Sequence, residues 1–280
     1  ILIFRANYHF PLVNLPCNLY QLEFSNYSCN NHEHPLIMLP ESIRILKMPS
    51  NPRINSIGNI PVGLKSLVMT DTTFIEEEIT YPPTLEYLLA YINIHSSIRN
   101  GEYGEGYGKD KYIERHERYF NLLNLPVSLV SLLLPGYPIP SSKLSAILTR
   151  LTNLKILFIP NYFKTQILEY PPNLLELHIC GEYKETLVNL PPSLKKVLIG
   201  THFHGILTGL KDSNVEEIDL DNLRSPIIDY IPKTLKRLKL LDTHPELHRI
   251  KAEYPQLLIN EEIDYDYDED TLDSIRGEMW

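Results

Sequence analysis

The run Gly101-Glu102-Tyr103-Gly104-Glu105-Gly106-Tyr107-Gly108-Lys109 has the glycine density of a loop that cradles phosphate. Its spacing does not serve that chemistry. Tyr103 stands where such a loop needs its first glycine, and Asp110 where a Ser or Thr must hold magnesium. It reads as a flexible insertion loop. Asp264-Tyr265-Asp266-Tyr267-Asp268 places oxygen ligands as the start of a calcium loop does. The turn glycine is replaced by Glu269 and the closing bidentate Glu by Ile275, so a solvated acidic tail is expected, or one that docks on a basic partner. Cys29, His32 and His34 are close enough to begin a zinc site, but no second ligand pair follows at a matching interval. His178, Cys180, His202 and His204 fall on neighbouring repeats. His178 and Cys180 share one strand, while His202 and His204 flank Phe203 in a turn, and ordinary surface histidines are expected. No Ser-His-Asp set and no paired carboxylates stand out. The expectation is no catalytic residue, no metal, no cofactor and no enzyme.

The elements that carry these residues are set by one recurring pattern: Pro, then apolar residues at +3, +6 and +8. It runs Pro16-Leu19-Leu22-Phe24, Pro40-Ile43-Leu46-Met48, Pro61-Leu64-Leu67-Met69 and Pro82-Leu85-Leu88-Ala90. It continues at Pro126, Pro171, Pro191 and Pro232, and without proline at Leu154-Leu157-Ile159 and Val215-Ile218-Leu220. Ten copies stand 20 to 25 residues apart, with one gap of 44. Periods of this size with LxxLxL spacing mark leucine-rich repeats. Positions +6 and +8 share one face of a strand. A single coil cannot bury that face, and stacked coils can. Helical repeats are longer, and prolines at this interval would break every helix. The fold expected is a leucine-rich-repeat solenoid, an α/β repeat with a concave parallel β-sheet and an irregular or short-helix convex side.

The connecting halves add an aromatic and then an aliphatic residue four places on: Phe163 and Ile167, Tyr183 and Leu187, Phe203 and Leu207, with Leu223-Arg224-Ser225-Pro226-Ile227 as a variant. Ser142 to Arg150 predicts a short helix with Leu144, Ile147 and Leu148 on one side. Ile1-Leu2-Ile3-Phe4 predicts the strand of one more coil, so residues upstream are expected. Residues 1–260 are read as the solenoid, with an insertion at 93–120, and 261–280 as an acidic C-terminal tail or cap.

From about Leu12 to Leu240 the chain resembles the FNIP family of leucine-rich repeats, whose units run roughly Phe-Asn-x-Pro-Ile and then LPxSLxxLxL. Leu190-Pro191-Pro192-Ser193-Leu194 and Leu125-Pro126-Val127-Ser128-Leu129 match the second half, whereas no copy keeps the full first half. Secreted bacterial leucine-rich effectors also use LPPSLxxL. The resemblance implies an amoeboid protist or giant DNA virus source. It also implies the substrate-recognition part of an F-box type ubiquitin-ligase adaptor, or else a structural or virion-associated protein packed against neighbouring subunits.

The net charge is −9, and the segment 261–280 holds nine acids against one base. The nearly neutral remainder has no basic excess to neutralise phosphates, so no nucleic-acid partner is expected. No apolar run reaches the ~18 residues a membrane helix needs. Three sparse cysteines suit a reducing compartment, and the sequon Asn26-Tyr27-Ser28 does not reverse that. A cytoplasmic or virion-associated location is expected.

The outward column at +7 is Glu23, Lys47, Val68, Leu89, Leu133, Phe158, His178, Leu198, Asp219 and Lys239, charged at the ends and apolar in the middle. Position +5 adds Tyr87 and Ile156, and +9 adds Tyr91. A solvated sheet face should be polar, and an exposed apolar patch marks an interaction site. A protein partner is therefore expected on the concave face, with Phe158 as its anchor. The competing readings are self-association and covering of the patch by the 93–120 insertion, which leaves the repeat just after Tyr91.

Overall fold

The computed structural model describes residues 1–4, 12–24, 38–48, 60–70, 80–91, 124–134, 139–160, 163–179, 183–200, 203–220 and 227–260. The 93–120 insertion with its glycine loop, Asn26, Cys29, His32, His34, Cys180, His202 and the 261–280 tail lie outside them. The chain forms two compact units, Ile1–Leu154 and Lys155–Trp280.

The first unit holds β1 (Leu2–Phe4), β2 (Gln21–Phe24), β3 (Ile45–Lys47), β4 (Ser66–Thr70), β5 (Tyr87–Tyr91), β6 (Ser131–Leu133) and helix α1 (Ser141–Arg150). The second holds β7 (Ile156–Ile159), β8 (Glu176–Ile179), β9 (Lys196–Ile199), β10 (Glu217–Leu220), β11 (Arg237–Lys239) and β12 (Leu258–Ile259). It also carries α2 (Thr208–Lys211), a 3₁₀ turn (Ile228–Tyr230) and α3 (Leu247–Glu253). Within each unit every strand pairs in parallel with the next in the chain. Equal repeat positions face one another: Leu2 with Leu22, Leu22 with Leu46, Leu67 with Leu88, and Leu177 with Val197.

The local causes are visible coil by coil. The anchor proline opens a tight turn in which the +3 amide donates to its carbonyl, as Leu19 does to Pro16 at 3.0 Å and Leu194 to Pro191 at 3.0 Å. The small polar residue at +2 reaches back to the preceding coil. Ser42 Oγ donates to the Leu19 carbonyl at 2.8 Å, Ser193 Oγ to Leu174 at 2.8 Å and Thr234 Oγ1 to Val215 at 2.7 Å. Asn153 and Asn214 do the same with their amides, to Val127 and Pro192. These bonds give otherwise stranded turn carbonyls a partner. The +4 carbonyl then accepts two amides from the next coil: Lys155 O takes Leu175 N at 2.8 Å and Glu176 N at 2.9 Å. Asn14 and Asn189, both two residues before an anchor, take positive φ of 58° and 52°, which Asn tolerates better than most side chains.

The +3 and +6 columns are buried through both units, and so is +8 where it is described, apart from half-buried Leu2 and Phe4 in the first strand and exposed Gln256 and half-buried Ile259 in the last coil. In the second unit Phe163, Tyr183 and Phe203 form a spine behind the sheet, with ring centroids 6.4 Å apart at both steps. Ile167, Leu187 and Leu207 are buried beside it. Tyr183 keeps a hydrogen-bond partner in this dry setting. Its hydroxyl donates to Thr165 O and accepts from Ile167 N, both at 3.4 Å, and burial pushes its pKa up to about 12. Gly209 lies so close to the coil before it that a Cβ would stand 2.2 Å from Leu187 O. The predicted helix at 142–150 is present and starts one residue earlier.

Tyr170 occupies the position before the anchor proline that most other coils fill with Leu or Ile, and that before Pro82 with Tyr81. Its hydroxyl is buried and without a hydrogen-bond partner, and burial drives its pKa far above the ordinary tyrosine value. An unmet buried hydroxyl costs about 1–3 kcal/mol. Tyr170→Phe is therefore expected to stabilise the chain by about 1 kcal/mol in equilibrium urea unfolding; a loss of stability would show that the hydroxyl has a partner.

Candidate functional site

The side of each sheet facing away from the Leu columns is built from positions +5 and +7. Two residues apart on a strand, these side chains share a face, and parallel pairing stacks equal positions ~4.8 Å apart from coil to coil. The register expected for this face is observed in both units.

In the first unit, Glu23 and Lys47 pair at 3.5 Å near the start of the row. Farther along, Ser66, Leu89, Ser131 and Leu133 are buried. Val68 and Tyr87 are half-buried and reach the surface. The Tyr91 side chain is outside the described set.

The second unit begins with Ile156 and Phe158 and ends in charge. Phe158 is 0% exposed, and its ring lies against that of His178, with centroids 4.4 Å apart at 50°. His178 is itself buried, and its Nε2 lies 3.0 Å from a Glu176 carboxylate oxygen. Glu176 pairs along the strands with Lys196, another buried ionisable residue. Leu198, the next residue in the +7 row, is half-buried, and Lys239 is exposed.

This burial corrects the expected open apolar row. Leu89 and Leu133 in the first unit, and Ile156, Phe158 and His178 in the second, are between 0% and 8% exposed, so neither set is an accessible patch. Phe158 cannot be a free anchor, because its ring is fully enclosed and rests on His178. His178 is likewise no ordinary surface histidine, although His204 is exposed. Among the described residues, the accessible apolar side chains of the face are Ile3, Ile45, Val68 and Tyr87 in the first unit and Leu198 and Leu258 in the second.

The sequence reading missed the ion pairs that bridge neighbouring coils. In the second unit Glu216 lies between Lys195, at 2.7 Å, and Lys236. Glu217 pairs with Arg237 at 2.6 Å, and Asp219 with Lys239 at 3.2 Å. Lys65 and Glu86 pair in the first unit. The signal was present as opposite charges one repeat apart, at equal positions.

Hydrogen bonds from Lys195 and then Lys236 hold the Glu216 carboxyl down at about 2. A depressed carboxylate stabilises the fold above its unfolded pKa and loses that contribution as pH falls through its folded value. The stability gap between the wild type and Glu216→Gln should be below about 1 kcal/mol at neutral pH, as for partly exposed pairs. It should close as the pH is lowered from about 4.5 to 2. A gap that persists in acid would assign the effect to packing.

Among the described residues no group of three or more His, Cys, Asp or Glu side chains is placed to hold a metal ion. No helix among them is long and apolar enough to cross a membrane.

The parallel coils, the buried Leu columns and the short connections define a leucine-rich-repeat solenoid fold. CroV588, described as a circular leucine-rich-repeat protein, is similar in structure, with a TM-score of 0.51 and 18% identity over 84% of this chain and 32% of its own. YopM from Yersinia enterocolitica WA-314 aligns with a TM-score of 0.43 and 20% identity over 85% of this chain and 51% of its own. This chain thus spans about a third of the length of CroV588 and half that of YopM. No protein-family profile matches the chain, and no curated protein does.

Proposed function

We propose that this chain is a non-enzymatic scaffold that binds a partner protein on the outward face of its sheet. The observation that carries this is the presence of Val68 and Tyr87, and of Leu198, at half-buried outward positions where a purely solvated face would be polar. A partner would meet these residues before the buried Leu89 and Leu133 of the first unit, or before the buried Ile156, Phe158 and His178 of the second. Tyr87 suits the role of an anchor, since Tyr is enriched among the residues that dominate interface energetics. The resemblance to FNIP repeats extends the proposal to substrate recognition in an F-box type ubiquitin-ligase adaptor. A role packed against neighbouring subunits of a virion is the competing use of the same face.

The test compares Tyr87→Asp and Leu198→Asp with the wild-type chain as baits. Proteins captured by the wild type are purified, and their affinity for each variant is measured directly. Loss of affinity with an unchanged melting temperature supports the proposal. A captured partner that binds both variants as tightly as the wild type refutes this face. An F-box coding sequence upstream of Ile1 in the gene supports the adaptor role, and its absence from the full-length gene removes that extension.

A further inference from the structure

The ion pairs on β10 and β11 and on the residues just before β9, β10 and β11 are unevenly exposed. The carboxylates lie low, with side-chain exposures of 28% for Glu216, 24% for Glu217 and 22% for Asp219. The bases ride above them, at 68% for Lys236, 39% for Arg237 and 74% for Lys239, and Lys195 joins them at 50%. A macromolecule approaching this end of the second unit therefore meets cationic heads, with their counter-charges beneath. Glu216 is held by two bases, and Glu217 and Asp219 by one each, so the exposed side of each ammonium or guanidinium retains unused donors.

From this geometry we infer that Arg237 and Lys239 on the outward face of β11, together with Lys195 and Lys236 just before β9 and β11, dock an acidic segment of a partner protein. The inference rests on the scaffold reading and names the chemistry of the partner at one end of the face. Carboxylates arriving from above bond the outer donors of Lys195, Lys236, Arg237 and Lys239 and extend each ion pair into a three-membered chain of charge. Leu198, one strand away in the +7 row and half-buried, offers an apolar contact beside them. A nucleic acid fits less well. Its dense phosphates would face the carboxylates of Glu216, Glu217 and Asp219, and the chain as a whole carries a net charge of −9. Because such surface pairs contribute little singly and are screened by salt, the affinity comes from several acting together.

The experiment uses the full chain and a fluorescein-labelled peptide of repeated Glu-Ala, read by anisotropy in low salt. A Lys-Ala peptide and a single-stranded oligonucleotide serve as comparison probes. The Glu-Ala peptide should bind, weaken as salt is raised, and lose at least about tenfold in affinity with Lys236→Glu combined with Lys239→Glu. Glu216→Gln removes a carboxylate from beneath the bases and should tighten binding, an outcome that structural damage would not produce. No peptide binding, or binding indifferent to the charge reversal, overturns the docking surface and leaves the Tyr87 and Leu198 test of the scaffold untouched. Tighter binding of the oligonucleotide through the same lysines also overturns it, in favour of a nucleic-acid partner.

Discussion

Replacing Phe158 with Asp is expected to unfold the first coil of the second unit, at a cost above about 4 kcal/mol. The side chain has no exposed surface, and the ring it touches belongs to His178, already engaged with Glu176. A carboxylate at 158 would lose its hydration and stand near another acid, with apolar Ile156 beside it on the same face. The sequence alone suggests the opposite, because an aromatic at an outward position reads as a binding residue and its charge variant as stable but inert. Circular dichroism melts and urea titrations separate the two outcomes. A melting point within a degree or two of wild type would return Phe158 to the binding surface. Phe158→Leu, which keeps the site apolar, should lose far less.

Phe163→Ala should cost about 3–5 kcal/mol, the range for deleting a buried aromatic. Phe163 is completely buried and stacks on Tyr183, whose ring lies tilted against Phe203. The deletion removes packing on one side of Tyr183, whose hydroxyl is fixed by Thr165 and Ile167, so the ring has little freedom to fill the space. Leu168→Ala is a fitting control in the same stretch, because Leu168 is 42% exposed and its loss should stay within about 0.5 kcal/mol. If the two variants unfold at the same urea concentration, the spine contributes no more than the surface does.

These contrasts show what a sequence of this kind discloses. The columns at +3, +6 and +8 were legible because burial repeats at fixed spacing, and the extra strand Leu2–Phe4 and the helix after Pro140 followed from the same logic. The aromatic spine was legible for the same reason. The last coil was not. Its β12 pairs Ile259 with Leu238, but its anchor and +3 slots hold Glu253 and Gln256, so no apolar column announces it. The state of the outward face was also hidden. Position alone says that Leu89, Leu133 and Phe158 point away from the Leu core, and it says nothing of what else encloses them. The Tyr170 hydroxyl was invisible too, since a tyrosine in a leucine slot is an ordinary substitution until its oxygen is found without a partner.

The serine, threonine and asparagine donors of the anchor turns have a consequence for assembly. Each bonds a carbonyl of the coil that precedes it in the chain: Ser42 to the coil of Leu19, Thr84 to that of Leu64, Ser193 to that of Leu174, Thr234 to that of Val215. Among the described residues, these hydroxyl and amide donors of the turns therefore all reach back to the coil before them. A ribosome releases the earlier coil first, so every new turn emerges to find its acceptor already laid down. Removing coils from the trailing end strips acceptors of their donors but leaves the remaining turns fastened. Removing them from the leading end unfastens the first turn that is left. The coils of each unit are laid like a row of roof tiles, each lapped over the one set before it.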